Sequence, residues 1–237
     1  MAGNCRRTGH GHCPGGYTSE ADLTAPPIAG LLLAGGQSRR MGGGDKCLRL
    51  LAGRPILAHI IERARPQVRQ LVLNANGDPA RFAGFGLPVI ADGVADFAGP
   101  LAGVLAGLDW AAARGIAFVV SLPTDAPFIP VNLVERLWSA LEEQGAELAC
   151  AASGGQHHPV VGLWPVLLRE ELRRAVADEG VRKVDIWTSQ HRLAVVEFPV
   201  GAIDPFFNAN RPEDLAEAER LMAKNGPGAG GAKIGTA

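Results

Sequence analysis

Residues 31–46 read Leu-Leu-Leu-Ala-Gly-Gly-Gln-Ser-Arg-Arg-Met-Gly-Gly-Gly-Asp-Lys. An apolar run over 28–33 ends abruptly in Ala34-Gly35-Gly36, and two arginines, three more glycines and Lys46 follow. Glycines let backbone N–H groups approach an anion closely and the cations neutralise it, so a strand opening into such a loop suits a polyphosphate. The competing reading is a glycine-rich surface turn with solvated arginines. Two common phosphate motifs are excluded. No Gly-Lys-Ser or Gly-Lys-Thr occurs, and the adjacent Gly35-Gly36 breaks the G-x-G-x-x-G spacing.

Further polar residues stand where apolar runs end. Leu71-Val72-Leu73 stops at Asn74-Ala75-Asn76. An asparagine there offers a donor and an acceptor to a base or ribose edge, or simply closes an Asx turn. Val89-Ile90-Ala91 stops at Asp92, a carboxylate that suits the adjacent N1–H and 2-amino donors of guanine, or caps a turn. The run 116–122 stops at Pro123-Thr124-Asp125-Ala126-Pro127, which holds Asp125 between two prolines. Mg²⁺ takes hard oxygen ligands and often only one or two carboxylates, completing its shell with phosphate and water, and Asp125 fits that role. No Ser-His-Asp or Cys-His signature is legible.

These residues need a scaffold, and the pattern supplies one. Helical spacing appears over 54–65, 101–113, 132–144, 165–177, 181–190 and 212–223; strand-like runs cover 68–73, 87–91, 116–122, 146–152, 159–164 and 193–198. Strands alternating with helices of this length predict a Rossmann-like three-layer α/β/α sandwich with a mainly parallel sheet. Ligands in such sheets sit outside the carboxyl ends of the strands, where the polar residues gather.

Composition bounds the partners. The 237 residues suit one domain, 47% of them are hydrophobic, and the net charge is −1. No basic surplus calls for nucleic acid, so any cationic site is local. Cys5, Cys13, Cys47 and Cys150 form no disulfide framework, which suits a reducing cytoplasm. Residues 1–26 are polar and lack the apolar stretch of a secretory signal. The Cys5, His10, His12, Cys13 spacing matches no zinc finger. Residues 1–26 are expected to be a disordered leader, 27–224 the folded domain and 225–237 a disordered tail. No run reaches the roughly 18 apolar residues of a membrane span, and no stripe suggests an obligate interface, so a cytoplasmic monomer is expected.

Leu33-Ala34-Gly35-Gly36-Gln37-Ser38-Arg39-Arg40-Met41-Gly42-Gly43-Gly44-Asp45-Lys46 resembles the first loop of nucleotidyltransferases that activate a phosphorylated small molecule with an NTP. Together with Gly99-Pro100-Leu101-Ala102-Gly103, it resembles the molybdenum cofactor guanylyltransferases within that superfamily. The resemblance extends over most of 28–222. It implies GMP transfer from GTP to molybdopterin with release of pyrophosphate, and Mg²⁺ as cofactor. Leu33, Ala34 and Gly35 would meet the nucleotide through their backbone, Arg40 and Lys46 would neutralise phosphate, Asn74 and Asp92 would read the guanosine, and Asp125 would hold the metal. Arg40, Lys46 and Asp125 are then the catalytic set. His158, Arg182, Lys183, Asn208 and Asn210 would face the acceptor, although each also has a plain reading as a loop residue, a solvated helix face or a helix cap. Molybdoenzymes or cofactor-delivery proteins are implied as transient partners. Two other readings remain. One is a sister enzyme using CTP, or a sugar phosphate acceptor. The other is a carrier of molybdopterin or GTP without chemistry.

Overall fold

The computed structural model describes residues 26–34, 45–94, 99–209 and 211–224. Most of the expected leader, the whole tail, Gly35, Arg40 and Asn210 lie outside these residues.

The strand β1 (Ile28–Leu33) is apolar on both faces and buried, as a central parallel strand must be. Its flanks are β4 (Gln70–Asn74) and β6 (Phe118–Pro123), both parallel to it. The short β5 (Val89–Ile90) continues the sheet beyond β4. On the other side lie β8 (Gln156–Pro165), β7 (Leu148–Ser153) and β9 (Leu193–Phe198), giving the order β5-β4-β1-β6-β8-β7-β9. Only β8 runs against its neighbours. The sheet is therefore mixed and mostly parallel. From β1 the chain goes outward first to β4 and later, on the opposite side, to β6. The gap between the carboxyl ends of β1 and β6 is thus a topological switch point, where α/β sheets bind ligands.

Two cores, one on each face, make the three layers. Alternate residues of β1 divide between them: Ile28 and Leu32 pack with the helices α1 (Ile56–Ala64) and α3 (Leu133–Glu143), and Ala29 and Leu31 with α2 (Pro100–Ala112) and α4 (Arg169–Ala177). The short α5 (Val184–Thr188) adds Trp187 to the second core, and α6 (Pro212–Lys224) adds Ala218 to the first. Cys47 and Cys150 are buried free thiols, and desolvation pushes both up to about 11. No helix among the described residues is long and apolar enough to cross a membrane.

Several boundaries differ from the helical spacing of the sequence. Helix α1 starts at Ile56, not Arg54, because Arg54 and Pro55 form β3 (Arg54–Pro55), which pairs antiparallel with β2 (Leu50–Leu51). Ala52 and Gly53 close that hairpin with φ of 50° and 76°, the left-handed pair that a two-residue turn demands. Glu219 of α6 accepts a 2.9 Å hydrogen bond from the Ala52 amide, which steadies a conformation unfavourable for alanine. The stretch 181–190 is helical only over Val184–Thr188, since the Val181 amide is drawn back to the Ala175 carbonyl. Strand β8 begins three residues earlier than its apolar run and so includes His157 and His158.

Candidate nucleotidyl-transfer site

Leu33, the last residue of β1, pairs with Asn74 on one side and Pro123 on the other. The glycine-rich loop therefore leaves the sheet between the two polar clusters that end β4 and β6. Two hydrogen bonds pin its root. The Ala34 amide donates to the Asn74 carbonyl at 2.9 Å, and Thr124 Oγ1 donates to the Leu33 carbonyl at 3.0 Å. The chain re-enters the described structure at Asp45 and Lys46, and Lys46 Nζ lies 3.3 Å from Asp125 Oδ2. Their side chains are 21% and 28% exposed, so a third group can reach both. A half-exposed pair of this kind adds little to stability; its position at the switch point is what marks it.

Asp125 also fits the demands of a divalent cation. It offers hard oxygens at the mouth of the site, and no group of three or more His, Cys, Asp or Glu side chains among the described residues could form an all-protein cage. One carboxylate with open positions is the donor set of a Mg²⁺-type ion that shares its shell with phosphate and water. The Asp125 backbone is fixed independently: its carbonyl accepts from the Ala209 amide at 2.8 Å.

The second cluster is a closed network. Asn74 Nδ2 donates to Asp92 Oδ1 at 2.9 Å, Asn76 Nδ2 donates to Asp92 Oδ2 at 2.7 Å, and the Asp92 amide donates to Asn76 Oδ1 at 2.9 Å. Each carboxylate oxygen thus has one acceptor position filled, and a carboxylate keeps roughly four in all. Asp92 is oriented and still able to receive two donors. Asn74 itself is buried against α2. A Cβ on Gly103 would come within 2.5 Å of Asn74 Oδ1 and 2.7 Å of Leu33 Cδ2. Gly103 therefore serves helix–sheet contact beneath Asn74. Replacing it with alanine should destabilise the fold by about 1–3 kcal/mol through overpacking, read as a lower midpoint in urea unfolding. The Asn74–Asp92 hydrogen bond should loosen with it, because Asn74 must move.

Asn76 and Arg81 are members of this wall that the sequence did not single out. Arg81 lies in a 3-10 turn, Pro79–Phe85, opened by Asp78, whose side chain accepts from the Ala80 amide. Its guanidinium donates to the Asn76 and Asp78 carbonyls at 2.6 Å each, and its Nε lies 2.5 Å from Asp45 Oδ2 as an ion pair without the direction of a hydrogen bond. One side chain thus ties the residue before Lys46 to the residue that braces Asp92. The Asp78-Pro79 pair is a legible helix-start signal; nothing in the sequence marks Arg81.

The acceptor candidates divide into two places. His158 sits near the start of β8. Because β8 is antiparallel, its first residues lie at the carboxyl edge, opposite the end of β7. Ser153 Oγ is 2.8 Å from His158 Nε2 and donates to Asp204, at 2.9 and 3.1 Å from its two oxygens. Burial lowers the His158 pKa below the usual histidine value, as does His157, and the opposing pull of Asp204 and Glu197 does not cancel them. Exposed Asn208 precedes Ala209, whose amide binds the Asp125 carbonyl. Arg182 and Lys183 are exposed on the α2 side. The Arg182 carbonyl lies 3.6 Å from a Cβ built on Gly99, and its guanidinium donates to the Val176 and Val181 carbonyls. No described contact joins them to His158 or Asn208.

The mostly parallel sheet, the oriented carboxylate network and the Lys–Asp pair at the switch point fit a nucleotidyltransferase, and the match to a known family shows that class. Residues 30–193 match the MobA-like NTP transferase domain. A molybdenum cofactor guanylyltransferase of Bradyrhizobium sp. (strain ORS 278) is 58% identical over 202 residues, 84% of this chain and 95% of that protein. The chain belongs to the MobA-like NTP transferases, in the family of the molybdenum cofactor guanylyltransferases. Among solved structures, molybdopterin-guanine dinucleotide biosynthesis protein A of Archaeoglobus fulgidus aligns with a TM-score of 0.64 and 25% identity, over 83% of this chain and 99% of its own. Rv0371c of Mycobacterium tuberculosis, in a complex with manganese, shares the fold with a TM-score of 0.57 and 19% identity, over 82% and 98% of the two chains.

Proposed function

We propose that this protein transfers GMP from GTP to molybdopterin, forming the guanine dinucleotide form of the cofactor and releasing pyrophosphate. The observation that carries this reading is the Asp92 carboxylate, held by Asn74 and Asn76 with two acceptor positions to spare. Guanine presents two adjacent donors, N1–H and the 2-amino group, and this carboxylate matches them. The sequence relation to guanylyltransferases supports the same base.

The terminal phosphate of molybdopterin attacks the α-phosphorus of GTP in line, the bond to the bridging oxygen breaks, and pyrophosphate leaves with that oxygen. The nucleophile is already anionic, so no strong general base is required, and the work is positioning and charge neutralisation. Lys46 neutralises phosphate charge from one side, and Arg40 joins it from the loop. Asp125 would hold Mg²⁺, which when bound would neutralise charge on the phosphates. The metal reported with the manganese-bound relative supports a divalent ion here. The Ala34 amide and Leu33 carbonyl are engaged within the protein, so their contact with the nucleotide falls to the rest of that backbone, with Gly35 beyond it. His158, Asn208 and Asn210 serve the acceptor, and Arg182 with Lys183 lies on the α2 side of the site. The protein works as a cytoplasmic monomer with transient contact to molybdoenzymes or cofactor-delivery proteins.

The test is pyrophosphate release with molybdopterin and Mg²⁺, compared across the four NTPs. GTP should be consumed fastest. Faster use of CTP would replace this reading with a cytidylyl one.

A further inference from the structure

Between β9 and α6 the chain crosses the carboxyl edge of the sheet as a strap, and three contacts fix its path. The Asp204 carboxylate accepts from Ser153 Oγ and, through Oδ1, from the Phe206 amide at 2.8 Å. The Phe206 ring is buried, 4.8 Å from the His158 ring and 5.4 Å from Phe198. The Ala209 amide ends the strap on the Asp125 carbonyl. Asn208 is thereby held exposed between two buried residues of the strap, Phe206 and Ala209.

The same carboxylate reaches His158. Ser153 is 2% exposed, and its hydroxyl has one proton to give. An ionised Asp204 only accepts, so the proton points to Asp204 and the Ser153 lone pair faces His158 Nε2 at 2.8 Å. Nε2 must then carry the ring proton, which leaves Nδ1 as the acceptor of the neutral imidazole.

We propose that Asp204, acting through Ser153, sets the proton position on His158 and the course of the strap that carries Asn208, and is thereby a positioning residue for the acceptor. This rests on the reading of His158 and Asn208 as acceptor contacts. Asp204→Ala removes the acceptor of both the Phe206 amide and the Ser153 hydroxyl, which share Oδ1, whereas an asparagine would keep that oxygen for both. The serine proton then turns to His158 Nε2, its remaining acceptor, and the ring proton moves to Nδ1. Ser153→Ala removes the connection altogether.

Two measurements decide the matter. The first is titration calorimetry of the full chain and both variants with molybdopterin, without nucleotide, and separately with GTP. Both variants should bind molybdopterin about tenfold more weakly and keep GTP affinity within about twofold, the scale of one lost charge-assisted hydrogen bond at the acceptor. The second is the ¹⁵N spectrum of the six histidines, with His158 assigned by His158→Gln. Wild type should carry the proton on Nε2, and Asp204→Ala should carry it on Nδ1. A wild-type proton on Nδ1 overturns the proposal, as does unchanged molybdopterin affinity in both variants, or a joint loss of GTP and molybdopterin affinity. The functional reading fails separately, if wild type consumes CTP in preference to GTP; acceptor binding measured without nucleotide is untouched by that outcome.

Discussion

Asp125→Asn should cut guanylyl transfer by about 10²–10³ in kcat, the usual cost of removing a principal charge from a preorganised polar site, while the protein stays folded. The structure separates the two roles of this residue. Its backbone carbonyl holds the strap through Ala209, and that bond survives any side-chain change. Its carboxylate is 28% exposed and meets Lys46 at 3.3 Å, so little stability depends on it. The amide is nearly the same size but is a poor ligand for a divalent ion and offers Lys46 only a neutral acceptor. Pyrophosphate release and the urea midpoint, measured on the same preparation, separate the outcomes. Transfer at the wild-type rate would remove Asp125 from the metal role, and a collapsed midpoint would make it a structural residue instead.

Asp92→Asn should lower kcat/KM for GTP by about 10–100-fold, the range for one or two hydrogen bonds to a charged group. The loss has two sources. An amide cannot accept from both guanine donors through two oxygens. It also turns a donor towards the amide of Asn74 or Asn76, which now donate to the two carboxylate oxygens at 2.9 and 2.7 Å. Inosine triphosphate, which lacks the 2-amino group, separates them. Wild type should prefer GTP over ITP, and the variant should lose most of that preference. A preference kept intact in Asp92→Asn would mean that the base is read elsewhere.

Much of this arrangement can be read from the chain because it follows from where apolar runs stop. Asn74 ends β4, and Asp92 and Asp125 stand two residues past the ends of β5 and β6; in a parallel sheet all such ends share one edge, so their association needs no knowledge of contacts. The residues that escaped notice are braces, not strand ends. Arg81 acts across the gap between a 3-10 turn and Asp45, and Asp204 acts between a strap and β7. Both are ordinary charged residues in irregular segments, and their distant partners, Asp45 and Ser153, come only from tertiary packing. The misplaced start of α1 has a different cause. Ile56, Leu57, Ile60 and Ile61 carry the helical period correctly, but the period does not mark where a tight hairpin takes over the two residues before it.

The reversed strand β8 divides the site by the kind of connection that builds each wall. The wall of Asn74, Asn76 and Asp92 is built from connections that leave the parallel strands β4 and β5 and must reach the next element of the sandwich. The opposite wall begins at the tip of the β7–β8 hairpin, where only Gly154 and Gly155 separate the strands. A hairpin tip can lengthen or shorten without moving any other element. Evolution could therefore change what this protein accepts while leaving untouched what it donates, and relatives of this fold should differ most at residues 154–158 and least at the ends of β1, β4 and β6.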